Sequence, residues 1–278
     1  MRVIFYSAVL SFLVQSCTPN NVNQDESLKK YFDENKTEGC FALMDNGTGK
    51  FTVYNLARYR DSSFLPASTF KIVNSLIGLQ TGKISSDSMV IKWDGVTRSF
   101  DSWNKDLTMY DAFRASAVPY YQEVARRIGK DTMQNYLNAL GYGKKSDTDK
   151  VVITSAIDTF WLDNSIKVTP DQQLGLVKKL YFDELPGFFK TNQETVKRAM
   201  LFENNTNYRL GYKTGWGFWN EQTGKHLGWV VGWIEENNHP YFFVLNLESK
   251  DKNFDMVTVR MKILKDILKQ LGFFEGKM

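Results

Sequence analysis

Apolar and polar positions alternate in short runs at both ends of this chain and recur at helical spacing through its middle. Residues 40–44 and 50–54 are apolar runs on either side of Asn46-Gly47-Thr48-Gly49, the pattern of a β-hairpin with a glycine-rich turn. Residues 27–35 read as a short helix. After Pro66, the run 68–80 carries apolar residues at 70, 73 and 77 and at 72, 76 and 79, a broad helical face that stops at Gly82. A helix apolar on most of its sides is predicted to be buried. Residues 84 to about 200 read mainly as helices and loops. Within them, 118–128 and 131–140 are helical by period, the second opening on an acidic cap and ending before Gly141. Thr169-Pro170-Asp171 opens another helix through Leu180, with proline in its first turn. The period then changes. Residues 208–218, 226–235 and 241–248 are rich in aromatic and β-branched side chains and are separated by turn-like stretches, which predicts a three-stranded antiparallel meander. A closing helix over 256–271 has apolar residues at 257, 261, 264, 267, 268 and 271.

Strand signals at both ends and helical signals between them predict an α/β (α+β) fold. An antiparallel sheet is assembled from both chain ends, with flanking helices and a helical subdomain. The chain of 278 residues is long enough for one large domain. We read residues 27–278 as a single catalytic domain, with a sheet subdomain of about 27–65 and 205–278 and a helical subdomain of about 66–204. Residues 1–17 read as a signal segment: Arg2 supplies the positive charge, and the apolar stretch 3–14 is too short to span a bilayer. Val14-Gln15-Ser16-Cys17 resembles a lipobox, with Gln15 an unusual residue in it, so Cys17 is a candidate for lipid attachment. Residues 18–26 are polar and read as a tether. These features imply an exported, periplasmic protein whose membrane attachment would be a lipid on Cys17.

The formal net charge of +4 is spread among interleaved acids, and no Lys/Arg block offers a nucleic-acid patch. The histidines, His226 and His239, sit in no motif, and no His/Cys cluster has metal-ligand spacing. No metal or organic cofactor is expected, and hydrolytic chemistry here needs a base other than histidine.

Ser68-Thr69-Phe70-Lys71 supplies one. Residues three apart share a helix face, so the Ser68 hydroxyl and the Lys71 amine can meet. At a helix start, free N–H groups favour a developing anion. Burial favours the neutral amine, which can accept the serine proton. Alone, S-x-x-K also occurs in many surface helices. Lys213-Thr214-Gly215, on a predicted strand before Trp216, combines a cation and a hydroxyl able to bind a carboxylate. Gly215 would let a ligand approach the backbone. An edge strand with a protective lysine reads the same way. Ser116-Ala117-Val118 offers a hydroxyl that can shuttle a proton, or one that caps the following helix.

S-x-x-K, an S-x-x triplet and K-T-G in this order mark the penicillin-recognising serine enzymes. With S-A-V as the triplet, the chain resembles the class D (oxacillinase-type) β-lactamases. Pro66-Ala67-Ser68-Thr69-Phe70-Lys71, Phe160-Trp161-Leu162, residues 228–233 (G-W-V-V-G-W) and Arg260 are similar to further segments of that class, over roughly residue 38 to the C-terminus. The resemblance implies the penicillin-recognising serine β-lactamase/D,D-peptidase fold and hydrolysis of small-molecule β-lactams. Ser68 would be the nucleophile, and Lys71, carbamylated by carbon dioxide to N6-carboxylysine, the general base. Ser116 would be the proton relay, and Trp161 the hydrogen-bond donor to the carbamate. Lys213, Thr214 and Arg260 would hold the substrate carboxylate, beside Gly215. The N–H groups of Ser68 and Trp216 would form an oxyanion hole, and Val118 and Leu162 would wall the lysine pocket. Trp161 also reads as an ordinary core tryptophan. One departure from the family pattern is Tyr142-Gly143-Lys144, where an asparagine usually follows the glycine; Tyr142 and Lys144 read here as surface residues. The alternatives are a β-lactam sensor domain, in which acylation is the signal, and a cell-wall D,D-peptidase. Substrate range and oligomeric state are not legible in the sequence.

Overall fold

The computed structural model describes residues 21–143, 146, 149–220 and 224–278; the signal segment with Cys17, and Lys144, lie outside them. Three strands come from the N-terminal end: β1 (Val22–Gln24), β2 (Glu38–Asp45) and β3 (Phe51–Tyr54). A two-stranded ribbon, β4 (Val90–Ile91) and β5 (Leu107–Thr108), stands apart. Four more strands close the chain: β6 (Leu201–Asn204), β7 (Arg209–Asn220), β8 (Lys225–Glu236) and β9 (His239–Ser249). The main sheet has seven strands in the order β1-β3-β2-β9-β8-β7-β6, so β2 pairs with β9 and joins the two chain ends. The hairpin between β8 and β9 turns on Asn237 and Asn238, both at positive φ, the backbone that a two-residue turn needs.

Helices cover both faces. On one side lie α2 (Leu56–Asp61), α3 (Lys71–Gln80), α4 (Met109–Arg114), α5 (Val118–Ile128), α6 (Lys130–Leu140), α7 (Pro170–Tyr181) and α8 (Lys190–Met200). On the other lie α1 (Lys29–Glu34) and α9 (Met256–Gln270). Each face has its own core. Phe70, Ile72, Val73, Trp161, Trp229 and Val231 belong to the larger one, and Phe41, Phe243, Leu245, Ile263, Leu264 and Ile267 to the smaller. β8 is buried on both faces, which is why its sequence is a continuous apolar run and not an alternation. α3 is apolar on nearly all sides and buried from Lys71 to Gly78. α7 starts on a complete capping box between Thr169 and Gln172, with Pro170 in its first turn. Among the described residues, no helix is long and apolar enough to cross a membrane.

Several boundaries differ from the sequence reading. The segment read as a tether contains β1, which pairs in parallel with β3; one apolar and two polar residues are too few to carry a periodic signal of their own. β6 lies before residue 205 and therefore extends the sheet into the segment read as helical. α6 starts from Gly129 with no side-chain cap, and Asp131 lies in its first turn. The buried face of α9 is Met256, Arg260, Ile263, Leu264, Ile267 and Leu268, while Val257 is exposed. The apolar period alone had placed that face one residue on, because a charged residue occupies one of its inner positions.

Cys40 is free and fully buried in β2, and burial pushes its thiol up to about 12. Such a thiol behaves as a small apolar side chain. Non-reducing peptide mapping of exported protein should yield no Cys17–Cys40 linked peptide, and a thiol reagent should leave Cys40 unmodified until the protein unfolds. Recovery of the linked peptide would refute this reading.

Candidate active site

The three motifs converge at one edge of β7. Pro66 leads into a 3-10 turn, Ala67–Phe70, that runs directly into α3. Ala67 holds φ at 48°, a left-handed backbone that is strained for a residue with a Cβ. The turn is held from both ends: Ala67 N–H donates to Trp161 O at 3.1 Å, and Thr69 Oγ1 donates to Pro66 O at 2.6 Å. This presents Ser68 at the head of a buried helix. Lys71 Nζ donates to Ser68 Oγ at 2.7 Å, and the lysine side chain is fully buried. Burial alone lowers the Lys71 amine to about 7, so near neutral pH much of it is uncharged.

Ser116 lies in the turn between α4 and α5, with φ at 54°. The cap position of α5 is Ala117, so the Ser116 hydroxyl is not used as a cap. Trp103 Nε1 donates to Ala115 O at 3.0 Å and pins this turn. Lys213 Nζ, reaching over from β7, donates to Ser116 Oγ at 3.0 Å and to Thr214 O at 3.0 Å. Burial lowers the Lys213 amine well below its ordinary value, and the nearby charges of Lys71 and Arg260 add to this. The Phe113 ring lies 5.5 Å from its ammonium and gives that cation a polarisable face.

Gly215 packs tightly against its own chain. A Cβ there would sit 3.1 Å from Pro66 O and 3.2 Å from Thr69 Cγ2, so β7 packs directly on the turn that carries Ser68. The protein itself makes a close approach at this glycine. Arg260 rises from the inner face of α9, nearly buried, and donates from Nη1 to Gly215 O at 2.7 Å. Its guanidinium is lowered to about 10, mainly by burial. Lys71, Lys213 and Arg260 thus meet only hydroxyl and carbonyl oxygens among their hydrogen-bond partners. A buried cluster of basic side chains hydrogen-bonded to neutral oxygens suits an anionic ligand.

The supporting residues divide into two groups. Trp161 is fully buried and stacks on Phe70 at 5.3 Å, and its Nε1–H has no hydrogen-bond partner. It is therefore not an ordinary satisfied core tryptophan; a buried donor left unpaired costs on the order of 1–3 kcal/mol. Val118, Leu162 and Thr214 are half-buried, and Trp216 is partly exposed at the rim. Tyr142, read from sequence as a surface residue, is buried with its ring 5.9 Å from Phe70. Sequence reasoning also passed over Gln173, whose Nε2 donates to Thr69 Oγ1 at 2.6 Å, and Tyr121, whose ring lies 5.6 Å from the Lys71 ammonium. Only a polar residue on the apolar face of α7 could have signalled the former. Among the described residues, no group of three or more His, Cys, Asp or Glu side chains gathers as a metal site.

Residues 29–269 match the model of the penicillin-binding protein transpeptidase domain. The chain is 36% identical to β-lactamase OXA-48 of Klebsiella pneumoniae over 97% of its own length and 98% of that protein's. It superposes on the crystal structure of the class D β-lactamase YbXI from Nostoc with a TM-score of 0.81 and 38% identity, covering 90% of this chain and all of that one. The C-terminal domain of the Bacillus licheniformis BlaR penicillin receptor gives a TM-score of 0.82 at 29% identity, covering 93% of this chain and all of that one. A serine turn hydrogen-bonded to a buried low-pKa lysine, beside a basic strand edge, thus stands in a chain that belongs to the class D β-lactamases, serine hydrolases acting on β-lactams.

Proposed function

We propose that this protein opens β-lactam antibiotics through an acyl-enzyme on Ser68, is exported to the periplasm, and confers resistance on its host. The observation that carries the reading is the 2.7 Å hydrogen bond between Lys71 Nζ and Ser68 Oγ, formed where burial leaves the amine able to accept a proton. In this reading Ser68 Oγ gives its proton to the Lys71 base and bonds to the β-lactam carbonyl carbon. The N–H groups of Ser68 and Trp216 take the developing oxyanion, each worth ~3 kcal/mol in related acyl transfer. As the ring C–N bond breaks, Ser116 passes a proton to the leaving nitrogen, with Lys213 holding the Ser116 hydroxyl in place. Lys213, Thr214 and Arg260 receive the substrate carboxylate. Water then cleaves the ester, giving its proton to the Lys71 base and restoring Ser68.

Carbon dioxide bound covalently to Lys71 Nζ would supply a carboxylate-type base. Two features of the chain fit it: an amine depressed to about 7, and the unpaired, buried Nε1–H of Trp161 on the ring that Phe70 stacks against. Val118 and Leu162, both half-buried, would limit water around it. Cys17 is the candidate lipid attachment point.

A second reading is favoured by the likeness to the penicillin receptor: a sensor that is acylated once and stalls. The D,D-peptidase alternative predicts the same stall with β-lactams. Steady-state hydrolysis of benzylpenicillin separates them. Many turnovers per Ser68 are expected; a burst of one equivalent followed by no further product would overturn hydrolysis in favour of the sensor or the peptidase.

A further inference from the structure

His226 belongs to no motif, yet it is nearly buried beside the site, at the start of β8. Trp216 stands opposite Gly228 across the β7–β8 ladder, and His226 lies two residues before that glycine, on the diagonal. Gly228 has no side chain to pack on the indole, and Met256 Sδ fills the space where its Cβ would be. The indole meets His226 instead. The two rings lie at 14° to one another with centroids 5.8 Å apart, and Trp216 Nε1 donates to His226 Nδ1 at 3.1 Å. With Nδ1 accepting, the ring proton sits on Nε2, which faces Lys252 O at 3.2 Å in the segment between β9 and α9. Phe218, two residues along β7, closes on the imidazole at 5.0 Å.

We propose that His226 is a positioning residue for the reaction: by accepting the Trp216 indole N–H it holds the β7 edge, and with it the backbone N–H that the proposed function assigns to the oxyanion hole. The inference rests on that assignment. Residues 215 and 216 are then clamped from two sides, Gly215 O by Arg260 on α9 and the Trp216 side chain by His226 on β8. An N–H that must meet charge appearing only in the transition state loses effect when its strand edge moves, while ground-state binding through Lys213 and Arg260 is kept. The imidazole therefore acts on the chemical step and leaves substrate affinity unchanged.

Two variants separate the hydrogen bond from the packing. His226→Phe keeps an aromatic ring against Trp216 and removes the acceptor. His226→Asn places an amide oxygen near the position of Nδ1 and loses the ring. The rate of Ser68 acylation by benzylpenicillin in a single turnover, with kcat and KM where turnover occurs, is the measurement. His226→Phe should slow acylation and kcat by about 3- to 10-fold, the span of one hydrogen bond, with KM changed by less than about twofold. His226→Asn should recover most of the rate. The Trp216 indole N–H resonance, assigned with Trp216→Phe, should shift upfield in His226→Phe and return towards the wild-type position in His226→Asn. A His226→Phe enzyme as fast as wild type, or two variants equally slow, would overturn the positioning role. A wild-type protein that acylates and stalls overturns hydrolysis alone, since the acylation rates still compare the variants.

Discussion

Ser68→Ala will abolish β-lactam turnover and covalent labelling while leaving the fold standing. Loss of the nucleophile in a serine hydrolase costs ~10⁶ in kcat, so residual activity should fall to background. The structural cost is small. Ser68 Oγ accepts one hydrogen bond, from Lys71, and fills little volume at the head of α3. The turn around it is held by Ala67, Thr69 and the Trp161 carbonyl, none of which uses the Ser68 side chain. Losing one hydrogen bond changes stability by about 1 kcal/mol, a shift of about 2–4 °C in Tm for a domain of this size. Intact mass spectrometry after penicillin exposure, paired with a thermal melt, reads both parts. A persistent adduct on Ser68→Ala would sink the assignment of the nucleophile. A Tm lowered by tens of degrees would show that the hydroxyl also holds the fold.

The parts of the molecule legible in the sequence are those where one local rule decides. The hairpin of β2 and β3 has turn residues, α3 a long apolar period, and β7 to β9 aromatic and β-branched runs separated by turns. Thr169, Pro170 and Asp171 announce the start of α7 by themselves, and the structure adds Gln172 as the second half of a capping box. What stayed hidden depends on distant partners. β1 is three residues long and exists because β3 offers a free edge. Arg260 interrupts the apolar face of α9, so the period shifts away from the one residue that matters to the site. It was found through the family likeness, although a lone arginine between Met256 and Ile263 on an inner helix face is itself a signal.

The site follows the same division. Ser68 and Lys71 are three apart on one helix, and local geometry brings them together. That Lys213 reaches Ser116 and not Ser68 depends on how β7 crosses the α4–α5 turn, which no spacing encodes. The left-handed backbone at Ala67 and Ser116 is likewise set by the surrounding structure, since neither residue type favours it. His226 forms no motif along the chain. Its partner becomes visible only after β7 and β8 are written in register, when residue 226 falls diagonally across from Trp216.

Activity should depend on carbon dioxide and fall as pH drops through about 7. Among the described residues, Lys71 is the titratable group hydrogen-bonded to Ser68, while His226 is bound to Trp216 and Lys252 and His239 faces Asp45 at 2.7 Å. Burial lowers the Lys71 amine from 10.5 to about 7. The sign follows directly. Above about 7 the amine is mostly neutral, and a neutral amine both accepts the Ser68 proton and reacts with carbon dioxide. Below it the amine is a cation, with no lone pair for either purpose. Once carbamylated, Lys71 presents an anion that needs donors in the core, and the unpaired Trp161 Nε1–H is the one the fold holds ready. Deacylation should suffer most from loss of the modification, since general-base assistance to the attacking water is worth ~10²–10⁴-fold. The assay is benzylpenicillin hydrolysis in degassed buffer at pH steps from above neutral downward, followed by bicarbonate added at fixed pH. Degassed enzyme near and above neutral pH, where the amine is partly neutral, should acylate and then stall, and bicarbonate should restore turnover there; well below that, acylation should slow as well and bicarbonate should recover less. Trp161→Phe, which keeps the ring stacked on Phe70 and removes the N–H, should need more bicarbonate for the same recovery. Full activity in degassed buffer at every pH, with no response to bicarbonate, would mean that Lys71 works as a plain amine and that the orphaned indole N–H has another purpose.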